Sequence, residues 1–378
     1  MGELNGPAII ASNHPNSMMD AIVIGCTCKR PVHFTIRSDM FNNPLFHLLL
    51  RYLNGIPVYR ISEEKEKLRK NFDTIEQCRQ ILKKDGIIII FAEGTTLHDW
   101  NLKPLKSGTA KMVQHALHDK YLRNELQVVP VGLTYSNYKH PAKTLIIQCG
   151  EVFYPGRLEN GTPAGAWKQQ FNAFLFRKLL PTIPVMIPAG RHAQNIWQTI
   201  VTNITIGDSR CSRIKSLHEQ GRLLSDAKID IPVYHQIKHH YLPLHSAEYR
   251  SSYFFAIFLC IPGLAGFILN SPFYFPASIW VRNKTKDSIF YDALLFGLFV
   301  ILYPFYILLL SLSMQWIIPV PFWIWVPLIP FTGWCTTQLW VYCLKIINNA
   351  RLHSAERKWM REVLSGVGLS NKKRQDAD

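Results

Sequence analysis

The stretch Pro7-Ala8-Ile9-Ile10-Ala11-Ser12-Asn13-His14-Pro15-Asn16-Ser17-Met18-Met19-Asp20 decides how this chain is read. Pro7 to Ser12 is a short apolar run of strand length, closed by polar residues. His14 leaves the end of that strand, and Asp20 follows six residues later on the first turn of a helix. Histidine accepts a proton near neutral pH, and a neighbouring carboxylate fixes its tautomer and stabilises the imidazolium. The segment therefore reads as a strand-to-helix turn carrying a general-base pair. Taken alone, a satisfied histidine in a structural turn accounts for it equally well.

Working outward, similar apolar, β-branched runs recur at Ala8 to Ala11, Val32 to Ile36, Ile87 to Phe91, Val128 to Leu133 and Leu145 to Gln148. Helical patterns lie between them. In Ser62 to Lys84, Leu68, Phe72, Ile75, Cys78 and Leu82 recur every three or four residues, with Ser62 as N-cap. Ser107 to Asp119 and Trp167 to Leu180 repeat the pattern, and Ser107 reads as another N-cap. Strands alternating with helices predict an α/β fold: a mostly parallel sheet flanked by helices, with the site at the strand C-ends.

At 378 residues the chain has room for two or three domains. Its formal charge of +16 asks for an acidic partner: phosphate head groups, a membrane surface or nucleic acid. The apolar content is concentrated between Ser252 and Ile347, which makes a membrane the economical partner and leaves nucleic acid out. Eight scattered cysteines form no paired ligand framework, so no metal site is expected and all eight read as reduced. Met1-Gly2-Glu3-Leu4 lacks the basic start and apolar core of a signal peptide. Only thirteen residues precede His14, which leaves open an anchor or first strand upstream.

The apolar third falls into three blocks. Tyr253 to Val281 is interrupted by Pro262-Gly263, Pro272 and Pro276, and is expected to be re-entrant or interfacial. Residues 290–314 and 317–347 are each long enough to span a roughly 30 Å hydrocarbon core. The turn Arg282-Asn-Lys-Thr-Lys286 and the tail after Arg351 are basic, whereas Ser313-Met-Gln-Trp316 carries no charge. The positive-inside tendency then puts the soluble domain and the tail in the cytoplasm, with two crossings. Met40 to Leu50, an uncharged helical stretch, reads as a bilayer-docking element, an acyl-tunnel wall or a plain core helix.

Three more segments bear on His14. They are Gly55-Ile56-Pro57-Val58-Tyr59-Arg60, then Phe91-Ala92-Glu93-Gly94-Thr95-Thr96 leading to Lys103 and Lys106, and Val128-Val129-Pro130-Val131-Gly132-Leu133. With the His-to-Asp block, these four in order over residues 6 to 155 resemble the glycerolipid acyltransferase family, which includes glycerol-3-phosphate and 1-acylglycerol-3-phosphate acyltransferases. The His-Pro-Asn-x-x-x-Asp form, followed by apolar segments and Pro330-Phe-Thr-Gly-Trp334, looks most like a bacterial branch related to yeast-type glycerol-3-phosphate acyltransferases.

The resemblance implies roles. His14 would be the base that deprotonates the acceptor hydroxyl as it attacks an acyl thioester, and Asp20 would orient it. Arg60 would bind the acceptor's phosphate, Glu93, Gly94 and Thr95 would shape the glycerol-phosphate site, and Pro130 would lie near the acyl chain. The sequence departs from the family in three places. Five residues separate His14 from Asp20 where four are usual; Ala92 replaces a proline; Thr96 replaces an arginine, whose charge Lys103 or Lys106 is expected to supply. Direct transfer needs a base, a phosphate clamp and a positioned thioester, and no Gly-x-Ser-x-Gly nucleophile pattern competes.

The expected organisation is a catalytic domain at 1–205, a polar helical linker at 206–251, a membrane region at 252–347 and a basic cytoplasmic tail at 348–378. The expected activity is membrane-bound phospholipid-biosynthetic acyl transfer to glycerol 3-phosphate or 1-acylglycerol 3-phosphate. The donor is acyl-CoA or acyl carrier protein, and no cofactor is needed. Another lysophospholipid or amino-lipid acceptor, an inactive scaffold and a hydrolase remain as alternatives, and the sequence leaves the oligomeric state open.

Overall fold

The computed structural model describes residues 4–42, 44–59, 65–98, 101–135, 145–158, 164–183, 253–286, 290–344 and 346–347. Arg60, Ser62, the linker at 206–251 and the tail at 348–378 lie outside the described residues.

The N-terminal region runs β1 (Ala8–Ser12), α1 (Met18–Thr27), β2 (Val32–Arg37), α2 (Pro44–Tyr52), β3 (Gly55–Val58), α3 (Lys65–Lys83) and β4 (Ile87–Phe91). It continues through α4 (Ser107–Ala116), α5 (Lys120–Glu125), β5 (Gln127–Tyr135), β6 (Leu145–Cys149) and α6 (Ala164–Leu179). The six strands form one sheet in the order β3-β2-β4-β1-β5-β6, with every pairing parallel except β5 with β6. The expected mostly parallel α/β sheet is therefore present.

The sheet is buried on both faces because its central strands are near-continuous apolar runs, as parallel strands covered by helices are. Ile9, Ala11, Ile88, Ile90 and Val128 face one layer, where they meet Cys78 and Leu82 of α3, Val113 of α4 and Phe171 of α6. Ala8, Ile10, Ile87, Ile89, Val129 and Val131 face the other, with Ile24 of α1. The two helices that follow β1 and β4 thus lie on opposite faces, which opens a crevice between the carboxyl ends of those adjacent strands.

Some boundaries and faces differ from the sequence reading. Ser107 is the first residue of α4 rather than its N-cap; Lys106 holds the cap position and gives no side-chain hydrogen bond there. The Met40 to Leu50 stretch is split: a 3-10 turn covers Ser38–Phe41 and α2 starts at Pro44, whose fixed φ suits a first helical turn. Phe72 shares the heptad-like spacing of α3 yet is 64% exposed, with its ring edge against His115 at 5.5 Å.

Two long apolar helices follow, α7 (Cys260–Thr285) and α8 (Tyr291–Ile317), with a third helical stretch over residues 322–344. Of the interruptions expected in the first block, those at Pro272 and Pro276 are not seen, since α7 runs through both, whereas a turn at Leu259, three residues before Pro262, parts the helical stretch at 253–258 from α7. Both α7 and α8 are long and apolar enough to cross a membrane. They are not core helices of the sheet domain, since their described buried residues are few: Gly263, Gly266, Ser278 and Val281 in α7, Ala293 and Ser311 in α8. Packing between them is polar at its centre. Asn270 of α7 accepts from the Tyr303 hydroxyl of α8, while its amide also donates within α7 to the Gly266 carbonyl at 2.7 Å. Gly266 is required by close approach: a Cβ there would sit 2.0 Å from the Thr332 carbonyl oxygen.

Candidate active site

The crevice is built from the turn after β1 and the loop after β4. Asn13 fixes the first of these. Its side chain donates to the Leu133 carbonyl at 2.9 Å and accepts from the Leu133 N–H at 2.8 Å, so it extends the β1–β5 pairing past the strand end. His14 is thereby carried to the mouth. Its ring stacks on Phe91, with centroids 3.8 Å apart and planes 11° from parallel, and Phe91 is the last residue of the adjacent strand.

His14 Nδ1 lies 2.9 Å from Asp20 Oδ2. Asp20 is fully buried in the first turn of α1, and the His14 side chain is 18% exposed. The extra residue between them is absorbed by the turn. Ser17 takes a left-handed φ of 51°, and the Asn16 N–H donates to Asp20 Oδ2 at 2.7 Å. The other carboxylate oxygen accepts from the Tyr135 hydroxyl at 2.8 Å. A buried carboxylate needs such partners, and Asp20 has three. In the tautomer that directs Nδ1–H at this carboxylate, His14 Nε2 carries the lone pair.

Glu93 ties the two loops together. Its carboxylate is 2% exposed and accepts from the Lys103 N–H at 3.0 Å and the His14 N–H at 3.3 Å. Burial raises its pKa above the ordinary carboxylate range, opposed by those two N–H donors and by the Lys103 charge. Gly94 follows with φ of 62°, a conformation natural to glycine, and a Cβ there would come within 2.9 Å of Lys106 Cγ. Gly94 and Thr95 are exposed at the rim.

The two lysines expected to replace the missing arginine differ. Lys103 Nζ is 3.9 Å from Glu93 Oε2 and donates to the Leu97 carbonyl at 3.4 Å, so its charge is engaged inward. Lys106 is exposed, and its backbone N–H donates to the Ala92 carbonyl at 2.8 Å, which holds the loop against β4. Arg60 lies outside the described residues.

Pro130 is buried in β5, in register with Ala11, and sits below the crevice floor. Val128 pairs with Phe153 and Val131 with Cys149, so Val129 and Pro130 face the longer segment Gly150, Glu151 and Val152. That bulge lets a central strand accept a residue without an N–H. A groove of about 550 Å³ beside it is lined in part by Gly150, Phe174 and Arg177.

The structure brings His14, Asp20 and Glu93 together, and the sequence reading did not name the residues that support them. Tyr135 ends β5, 115 residues after Asp20, and its only sequence signal is a hydroxyl closing an apolar strand. Asn13 and Asn16 sit inside the quoted stretch, but nothing in their spacing reveals what they hold. No disulfide joins any of the seven described cysteines, and burial pushes the Cys78 thiol up to about 12.

Residues 3–134 match the family model described as Acyltransferase, a range that takes in β1 to nearly the end of β5 and every dyad and loop residue above except Tyr135. Over that range the chain is similar to acyltransferases. Among solved structures, the chain is similar to the 1-acyl-sn-glycerophosphate (LPA) acyltransferase PlsC from Thermotoga maritima. The two are 15% identical over 46% of this chain and 67% of that one, with a TM-score of 0.31. A likeness of that size transfers no residue's role.

Proposed function

We propose that this protein is a membrane-bound O-acyltransferase that esterifies the free hydroxyl of glycerol 3-phosphate or 1-acylglycerol 3-phosphate, with His14 as general base. The observation that carries the reading is the His14–Asp20 pair, 2.9 Å apart, with the His14 side chain 18% exposed. His14 Nε2 takes the hydroxyl proton as that oxygen bonds to the thioester carbonyl carbon. The tetrahedral adduct collapses, the C–S bond breaks, and the leaving thiolate takes the proton from the imidazolium. Ester and free thiol are the products, and the base is regenerated. Asp20 offsets the transient charge on His14, and Phe91 keeps the ring from tilting.

Lys106 at the rim, with Arg60 and the Gly94-Thr95 backbone, is assigned to the acceptor's phosphate; the N-terminus of α4 adds its N–H groups. Pro130 and the groove beside it are assigned to the acyl chain. α8 and the stretch at 317–347 are assigned to the bilayer as two crossings, with the first apolar block re-entrant or interfacial, so that the basic turn at 282–286 and the catalytic domain share the cytoplasmic side. The acyl donor, acyl-CoA or acyl carrier protein, binds as substrate, and the chemistry asks for no further cofactor. Thr96 and the inward charge of Lys103 favour one variation, an acceptor with a smaller anionic demand, such as another lysophospholipid.

The test is transfer from a labelled acyl thioester in membranes containing the full chain, offered a panel of acceptors and resolved by lipid chromatography. Labelling of a phosphorylated glycerol is expected, and labelling confined to unphosphorylated acceptors would overturn the assignment of the phosphate site.

A further inference from the structure

Asp292 sits in the first turn of α8, yet it touches the catalytic turn. Its Oδ2 accepts from Asn16 Nδ2 at 3.1 Å, across 276 residues of chain. Asn16 is 1% exposed, and its own N–H holds the same Asp20 oxygen that binds His14 Nδ1. A continuous hydrogen-bonded line therefore runs Asp292–Asn16–Asp20–His14. Both ends of it are fixed. Tyr291, next to Asp292, places its hydroxyl 2.6 Å from Ser278 Oγ on α7, and α1 packs against α8.

The carboxylate also dictates how the Asn16 amide is turned. Reversing the amide would set its oxygen against Asp292, acceptor against acceptor, so Nδ2 faces the helix and Oδ1 is left buried with no partner among the described residues. An acidic residue in a first helical turn complements the helix dipole without help. That role does not require an asparagine of the catalytic turn buried against it.

We propose that Asp292 is a positioning residue: by anchoring Asn16 it holds the Asn16 N–H and Asp20 in place for His14, and so ties the seating of the α7–α8 hairpin to the geometry of the base. The proposal rests on the reading of His14 as base.

The experiment uses the full chain in lipid vesicles, with H14A as control beside D292A, D292N, N16A and N16A/D292A. D292N keeps an oxygen for Asn16 Nδ2; D292A does not. Loss of a hydrogen bond to a charged group is expected to lower kcat about tenfold or more in D292A, with KM for both substrates held within about twofold. D292N should stay within about threefold of wild type, because the bond persists in neutral form. N16A should match D292A, and the double variant should be no slower than either, as two members of one line must be.

A second readout needs no turnover: the rate at which diethyl pyrocarbonate modifies His14, followed by peptide mass spectrometry. It should rise in D292A and N16A and stay at the wild-type value in D292N. Wild-type kcat and wild-type modification in D292A, additive losses in the double variant, or a D292N as impaired as D292A would each overturn the link. Should D292A fail to insert, N16A decides alone, since it lies outside the hairpin. Turnover by H14A equal to wild type would sink the base assignment instead, and the modification rates would still decide the coupling.

Discussion

Replacing Asp20 with asparagine keeps the shape of the side chain and changes one acceptor into a donor, so its consequences follow from the bonds Asp20 makes. Oδ2 takes two donors, the Asn16 N–H at 2.7 Å and His14 Nδ1 at 2.9 Å, and Oδ1 takes the Tyr135 hydroxyl at 2.8 Å. If the new NH2 replaced Oδ2, it would oppose the Asn16 N–H. It would also force His14 into the tautomer with its proton on Nε2, a loss on the order of 10³–10⁴ in kcat. If it replaced Oδ1, the Tyr135 hydroxyl would turn and accept, while His14 and Asn16 kept their carbonyl oxygen. Only the second arrangement satisfies the backbone donor, so the amide adopts it. His14 then keeps its tautomer and loses the charge beside it. A charge-assisted bond is about twice as strong as a neutral one, a difference of roughly 1–2 kcal/mol, so kcat should fall about fivefold to thirtyfold. KM for the acceptor should hold, because Asp20 is fully buried behind the histidine. The assay is steady-state transfer over a range of acceptor concentrations in membranes carrying Asp20→Asn. Wild-type kcat would refute the claim that Asp20 supports a charged imidazolium, and a 10⁴-fold loss would refute the argument about the amide's orientation.

Two further outcomes follow from burial. Glu93 has a raised pKa in the fold, so the folded chain binds that proton more tightly than the unfolded one. Its contribution to stability is therefore greatest at low pH and is lost as pH rises from about 4.5 through the raised value; unfolding midpoints across that window should fall in the wild type and flatten in Glu93→Gln. Cys78, its thiol pushed up to about 12 by burial, should resist iodoacetamide at pH 8 while exposed Cys26 reacts, read by peptide mass spectrometry on the native chain.

The sheet was legible because its strands are so apolar: Ile87 to Phe91 is a strand of four isoleucines and a phenylalanine, and the structure keeps those bounds. The dyad was legible because both members share one turn. What sequence could not display is contact at long range. Tyr135 reaches Asp20 across 115 residues, and Asp292 reaches Asn16 across 276, with no periodicity to announce either. Lys103 or Lys106 was expected to supply a cation for phosphate; Lys103 Nζ lies 3.9 Å from the buried Glu93 carboxylate, and spacing cannot tell a solvated lysine from one drawn inward. Two of the prolines misled: α7 runs through Pro272 and Pro276, and proline spacing alone does not tell a broken helix from one that continues. Phe72 kept the helical spacing of its neighbours and still faces outward, beside His115.

The central claim is that His14 moves the proton. Its most direct test is single-turnover acyl transfer from a labelled thioester to the phosphorylated glycerol acceptor, comparing the wild-type chain with His14→Ala in the same lipid vesicles. Removal of a general base of this kind should cut the rate by a factor of about 10² to 10⁴, with the unfolding midpoint close to wild type. Transfer by folded His14→Ala at the wild-type rate would contradict the account.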